Sequence, residues 1–176
     1  PISASKPAAA VAAQFSALDE DLLASSARAR SARRRSGKSE DAHLDGMALG
    51  RRRTGMLDEL LQRMFVAAVA KTGVTDDVAL AAVGCFGRGA VGLRSDIDVR
   101  IVAKEGARRR EAAAKLADAL LYPLWDAGLS VGHQVTSPNE MLELAQADLA
   151  TATSLLDLRV IAGDASIVKD LVDRAY

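Results

Sequence analysis

The sequence predicts an α+β fold, a small mixed β-sheet covered by helices with an N-terminal helical extension. Three observations predict it. Apolar residues recur at helical spacing over residues 7–35 and again from residue 56 to 68. The middle of the chain then changes to short apolar runs bounded by glycine, and helical spacing returns after residue 107. Composition agrees, because 35 of the 176 residues are alanine, the strongest helix former. The length is that of one ordinary domain with a buried core.

Val11, Phe15, Leu18, Leu22 and Leu23 give the first helix its apolar face, and Gly37 marks its end. Residues 36–50, rich in Ser, Gly and charge, read as a linker or loop. In the second helix Met56, Leu57, Leu60, Leu61, Met64, Phe65 and Ala68 form one face, with Gly73 as its C-terminal cap. Residues 78–83 are an apolar run too short for a helix, hence a buried strand, and it enters a turn containing Gly84, Gly87, Gly89 and Gly92. Ile97, Val99, Ile101 and Val102 make a second strand. Its alternation places Asp96, Asp98 and Arg100 on the face opposite Ile97, Val99 and Ile101. A helix over residues 107–127 carries Pro123, which bends or interrupts it. Residues 129–135 form a third strand. Ser137-Pro138-Asn139-Glu140 then has the capping-box pattern of a helix start. Helices fill the remainder, broken at Gly163-Asp164.

Several functional classes fall away. One cysteine forms no internal disulfide and builds no zinc site, and it fits a reducing, cytoplasmic setting. No apolar run reaches the ~18–20 residues that cross a bilayer, and the alanine-rich start lacks a signal-peptide pattern. With 23 basic and 23 acidic side chains, net charge gives no argument for nucleic acid or membrane binding. Charge is uneven locally. Arg28, Arg30, Arg33, Arg34, Arg35 and Lys38 form one basic run and Arg51, Arg52 and Arg53 another, whereas residues after 140 are mostly acidic. The runs read as solvated helix ends or as a patch for phosphates or an acidic partner.

Asp96 and Asp98 carry the chemistry. Two carboxylates at i and i+2 on one strand face repel unless a cation lies between them. Mg²⁺ suits that spacing, since it takes oxygen ligands and keeps positions for water and substrate phosphates. The glycine turn upstream lets backbone N–H groups approach an anion. An Asp-x-Asp by itself is common in surface turns. A buried strand, a glycine turn and Ser95-Asp96-Ile97-Asp98 entering a second strand together describe a metal-assisted phosphoryl or nucleotidyl transfer site.

Val83-Gly84-Cys85-Phe86-Gly87-Arg88-Gly89 followed by Ser95-Asp96-Ile97-Asp98 resembles the signature of the polymerase-β-type nucleotidyltransferase superfamily. Within it the chain is most similar to the N-terminal domain of the bacterial PII uridylyltransferase/uridylyl-removing enzymes. The run from Leu121 through Trp125 to His133, and the run from Asp148 to Asp157 with Arg159 and Gly163-Asp164, support that likeness, which extends over about 130 residues. The resemblance implies a bacterial enzyme of nitrogen regulation that transfers UMP from UTP to a tyrosine of the PII signalling protein with Mg²⁺. It implies that Asp96 and Asp98 are the catalytic metal ligands. Gly84, Cys85, Arg88 and Ser95 would bind nucleotide phosphate, with Arg100 a further phosphate contact. Arg88 can equally cap a helix or pair with a surface acid. Residues 1–46 then read as an N-terminal helix and basic flexible linker, and 47–176 as the nucleotidyltransferase domain.

The chain also departs from the pattern. Cys85 stands where the family usually has glycine or serine, Ala90 where it has glutamate, and Leu93 where proline is common. Arg100 interrupts a normally apolar strand, either to bind phosphate or to lend charge that partly replaces a metal's. Gly132 or His133 occupies the place of the superfamily's third carboxylate, and Asp126 and Glu140 only flank that strand. Among the remaining residues, His133 reads as a hydrogen-bonded structural group, Cys85 as a space-filler, and Tyr122 and Trp125 as core or rim. His43 suggests no specific role. The alternatives are a nucleotidyltransferase fold with another acceptor or nucleotide, such as adenylylation, and a degenerate nucleotide-binding regulatory module. The length leaves no room for the hydrolase and ligand-sensing domains that follow in the full enzymes, so no uridylyl-removing activity is expected. The chain reads as an excised N-terminal domain or a stand-alone relative.

Overall fold

The computed structural model describes residues 6–36, 46–74, 76–93 and 95–176. Among them the chain runs α1 (Lys6–Ser36), α2 (Gly46–Thr72), β1 (Val78–Ala82), α3 (Gly84–Gly87), β2 (Ile97–Ala103), α4 (Ala107–Asp126), β3 (Val131–Thr136), α5 (Pro138–Ala147), α6 (Leu149–Leu156), β4 (Arg159–Gly163) and α7 (Ala165–Ala175). Lys38, His43 and Arg94 lie outside the described residues, as do the side chains of Val11, Phe15, Leu18, Arg30, Arg33 and Arg34.

The α+β class expected from the sequence is the class observed. The sheet has the order β3-β2-β1-β4. β1 pairs antiparallel with β2 and β4, and β2 pairs parallel with β3 through the α4 crossover. Parallel neighbours need a long connection, and the α4 helix of 20 residues supplies it.

One sheet face carries Val78, Leu80, Ala82, Ile97, Val99 and Ile101. It packs on Leu57, Leu61 and Phe65 of α2 and on Leu116, Leu120 and Leu124 of α4, with Phe86 of α3 fully buried among them. On the other face Val102 meets Met141 of α5, Leu155 of α6 and Leu171 of α7, while Ala79 and Ala81 meet Val168. Leu22 of α1 is buried, and α1 contacts both α2 and α4. Leu23 and Met56, which the periodicity assigned to apolar faces, are exposed.

Three expectations need correction. Residues 46–50 belong to α2 rather than to a linker. Pro123 does not interrupt α4, which continues to Asp126. The stretch read as helical around residue 160 contains β4, which covers the free edge of β1. Two local readings hold. Gly73 adopts φ +72° and returns its N–H to the Val69 carbonyl, ending α2. Ser137 and Glu140 form the reciprocal capping box of α5.

Candidate nucleotide site

Asp98 lies in β2 on the face opposite Ile97, Val99 and Ile101, and Asp96 immediately precedes that strand. Exposure rises along that face from buried Val102 to half-buried Arg100 and Asp98, and Asp96 is exposed. The helices α5–α7 cover its C-terminal part and leave the Asp96 end to solvent.

Two glycines set the place of the Asp98 carboxylate. Gly84, at the start of α3, has φ +60°, a conformation that side chains other than glycine rarely adopt. A Cβ built on it would lie 3.7 Å from Oδ2 of Asp98. On the other flank Gly132 pairs with Asp98 across the parallel ladder, and a Cβ there would come within 2.3 Å of Oδ1. The carboxylate therefore occupies the volume that a side chain at position 132 would fill. Gly132 is the residue on the carboxylate face, and His133 pairs with Val99 on the opposite one. There His133 is exposed and lies 5.2 Å from the Trp125 ring; among the described residues its side chain makes no hydrogen bond. The expected hydrogen-bonded histidine is a ring contact instead.

The open end of α3 faces this corner. Its N-cap, Val83, has no side-chain cap, and the first N–H groups of any helix lack partners within it. Cys85 and Ser95 are half-buried. At the other end of α3, Arg159 of β4 donates to the carbonyls of Phe86 at 3.1 Å and Gly87 at 3.2 Å. It also forms a two-pronged pair with Asp58 of α2 at 2.9 and 3.0 Å. A cation near those carbonyls favours the C-terminal end of the turn. Arg88 is engaged with Asp157, the surface-acid pairing that the sequence left open.

Arg100 lies between Ala81 and Gln134 on the carboxylate face. Its guanidinium donates to the Val99 carbonyl at 3.1 Å, and its buried Nε has no hydrogen-bond partner. Burial pushes its pKa down, and the Asp98 charge opposes that shift. Among the described residues neither Asp96, Asp98 nor Arg100 forms an ion pair, and no three His, Cys, Asp or Glu side chains converge as a metal cluster. Glu140 is taken by the capping box and by Arg110, and exposed Asp126 lines a separate cavity of about 440 Å³ beside α2 and α4.

Gln134 and Asp58 were assigned no role from the sequence, Arg53 appeared there only as part of a basic run and Arg159 only as part of the family likeness. The partners of the two arginines lie 34 to 101 residues away, so no local pattern announces them.

Comparison with known proteins finds nucleotidyltransferase relatives. A bifunctional uridylyltransferase/uridylyl-removing enzyme of Methylococcus capsulatus is 41% identical over 120 residues, covering 66% of this chain and 13% of that protein. The enzymes of the same name from Streptomyces coelicolor and Zymomonas mobilis are 38% and 32% identical, again over 13% of their own length. This chain therefore corresponds to about an eighth of those relatives. A crystal structure of a toxin–antitoxin with AMP-PNP aligns at TM-score 0.36 and 16% identity, over 64% of this chain and 82% of that one, a likeness too slight to carry argument. No described helix is long and apolar enough to cross a membrane. Residues 32–142 match the family described as "Putative nucleotidyltransferase DUF294", and the chain belongs to that nucleotidyltransferase family.

Proposed function

We propose that this chain is a Mg²⁺-dependent nucleotidyltransferase that moves UMP from UTP to a tyrosine hydroxyl of a PII-type signalling protein. The observation that carries the proposal is the placement of Asp98 between Gly84 and Gly132, with exposed Asp96 immediately before the strand that holds it. The names of the relatives support uridylyl transfer, and the family supports nucleotidyl transfer.

The donor set fits Mg²⁺. Two neighbouring carboxylates, one half-buried and one exposed, leave room for phosphate oxygens and water, which that ion retains. When bound, Mg²⁺ supplies positive charge that polarises the phosphoryl oxygens. Asp96 and Asp98 hold it. Backbone N–H groups at Gly84 and Cys85, with the Ser95 side chain, orient the triphosphate. Arg88 joins them by exchanging its surface pair with Asp157, and Arg100 contributes charge from below. The tyrosine hydroxyl gives up its proton to water at the exposed Asp96 end as its oxygen attacks the α-phosphorus, the bond to the α,β-bridging oxygen breaks, and pyrophosphate leaves.

Incubation with each α-labelled nucleoside triphosphate, Mg²⁺ and a panel of acceptors that includes PII tests this reading. Label on PII from UTP is expected; label from ATP alone overturns the base assignment. Asp96→Asn should reduce transfer to background, and retained turnover would remove the assigned site. A second reading, a nucleotide-binding regulatory module, draws on Arg100, a half-buried charge beside Asp98 in β2 whose Nε has no hydrogen-bond partner. It gains if no label appears and Asp96→Asn still binds nucleotide.

A further inference from the structure

Arg53 of α2 is 5% exposed, and among the described residues the one carboxylate that meets it belongs to α1. Its Nε donates to Asp19 Oδ1 at 3.0 Å and its Nη2 to Oδ2 at 3.3 Å. The remaining arm, Nη1, donates to the Gly92 carbonyl in the loop that leads to Asp96. That carbonyl also accepts the Ser95 N–H at 3.2 Å, which uses both of its lone pairs. A continuous chain of hydrogen bonds thus runs from Asp19 through Arg53 and Gly92 to Ser95, the residue before Asp96. The same loop is held one step earlier. The Thr54 hydroxyl donates to Gly50 and accepts the Val91 N–H at 3.3 Å, and the Ala90 backbone lies 3.2 Å from where a Cβ on Gly50 would stand.

A buried guanidinium with two carboxylate contacts has little freedom to reorient, because stranding its charge is costly. Loop geometry at Gly92 is therefore set by the position of α1, an element that carries no residue of the site. We propose that Asp19 and Arg53 are positioning residues, through which the N-terminal helix fixes Ser95 and Asp96 for nucleotide and metal binding. The proposal rests on the nucleotidyltransferase reading for what the loop positions. Its test is arranged to stand apart from turnover.

Hydrogen–deuterium exchange and direct Mn²⁺ binding on the whole chain supply the readouts. Asp19→Asn keeps shape and removes the charge that orients Arg53. Exchange across residues 91–96 is expected to quicken roughly tenfold, the equivalent of one hydrogen bond lost, with protection in β1 and β2 retained. Mn²⁺ affinity should fall by a similar factor. The charge-reversed pair, Asp19→Arg with Arg53→Asp, restores attraction between α1 and α2 but leaves the Gly92 carbonyl without its guanidinium. The expected result is a recovered unfolding midpoint relative to Arg53→Asp alone, with loop exchange still fast and Mn²⁺ binding still weak. Recovery of all three in the reversed pair would overturn the proposal, because the residues would then serve helix packing only. Unchanged loop exchange and Mn²⁺ binding in Asp19→Asn would overturn it as well. Failure of the unaltered chain to transfer any nucleotide removes the functional reading and leaves these two readouts decisive.

Discussion

At the C-terminal end of β2, Lys104 reaches Asp77 at 2.7 Å and Asp164 at 3.2 Å, and Arg109 closes on the second oxygen of Asp77 at 2.8 Å. At the N-terminal end of the same strand, Asp98 and Arg100 share a face and Asp96 immediately precedes β2, and among the described residues none of the three forms an ion pair. Both ends are crowded with charge, and only one is balanced. The paired end stitches β2 to the turn before β1 and to the start of α7, so its charges are spent within the fold. The unpaired end keeps a half-buried guanidinium with an orphaned Nε beside a half-buried carboxylate. Such an arrangement costs stability in the isolated chain. It becomes favourable when a cation meets the carboxylates and an anion meets Arg100, which is what a metal-bound triphosphate offers. Perturbed and unpaired charge at one end, against complete pairing at the other, separates the site from the scaffold.

The largest expected effect comes from breaking the unpaired end by volume alone. Gly132→Ala puts a methyl group where the Asp98 carboxylate now sits, within 2.3 Å of Oδ1. The carboxylate must rotate away while the strand, which tolerates alanine, keeps its register. Transfer should fall about 10²-fold, the usual consequence of a misplacement near 1 Å, with little change in the unfolding midpoint. Activity within twofold of the unaltered chain would show that the carboxylate position is not what the glycine protects. The same geometry argues that a third carboxylate cannot simply be restored at position 132.

This steric relation explains how much of the molecule was legible in the sequence. The face of β2 that carries Asp98 and Arg100, the capping box and the β2-α4-β3 order follow from spacing and local chemistry. The role of Gly132 required the ladder register, which a single strand does not encode. The early start of α2 was missed because Gly46, Gly50 and Gly55 resemble loop residues, each costing a helix about 1 kcal/mol. Gly50 is there for packing instead, with the Ala90 backbone 3.2 Å from its Cβ position. Strand β4 was missed because it is five residues long, starts at Arg159 and lies between two helical segments. Its justification is tertiary: it covers β1 and places Arg159 on the carbonyls of α3.

A smaller effect, and one with opposite signs in two assays, is expected at Arg100. Arg100→Leu removes a buried, unpartnered donor and restores the apolar character of the strand. Stability should rise by about 1 kcal/mol in denaturant unfolding, as when buried charge gives way to well-packed apolar groups. Nucleotide affinity should fall roughly tenfold, the loss of a charge-assisted contact. Arg100→Lys should retain part of the affinity, having charge without the planar fork. A destabilised Arg100→Leu would mean that the guanidinium is already balanced in the fold, and the contrast between the two ends of β2 would disappear.

The smallest effect belongs to the paired end and is read through pH. Hydrogen bonds from Lys104 and Arg109 hold the Asp77 carboxyl below its ordinary value of 3.8. Those from Ser166, then Lys104, do the same for Asp164. A carboxylate with a depressed pKa contributes stability above its unfolded value and loses it as pH falls through the folded one. Lys104 is shifted the other way, above 10.5, chiefly by its bonds to Asp77 and Asp164. Its contribution is complete below that value and disappears as pH rises through the folded pKa. The unfolding midpoint should therefore be flat between these limits and decline on both sides, with salt reducing the declines because the groups are open to solvent. Lys104→Met should flatten the alkaline limb and shallow the acid one, since both carboxyls lose a donor, while leaving nucleotide binding unchanged. If that substitution weakens nucleotide binding as much as Arg100→Leu does, the two ends of β2 are coupled and the division between scaffold and site fails.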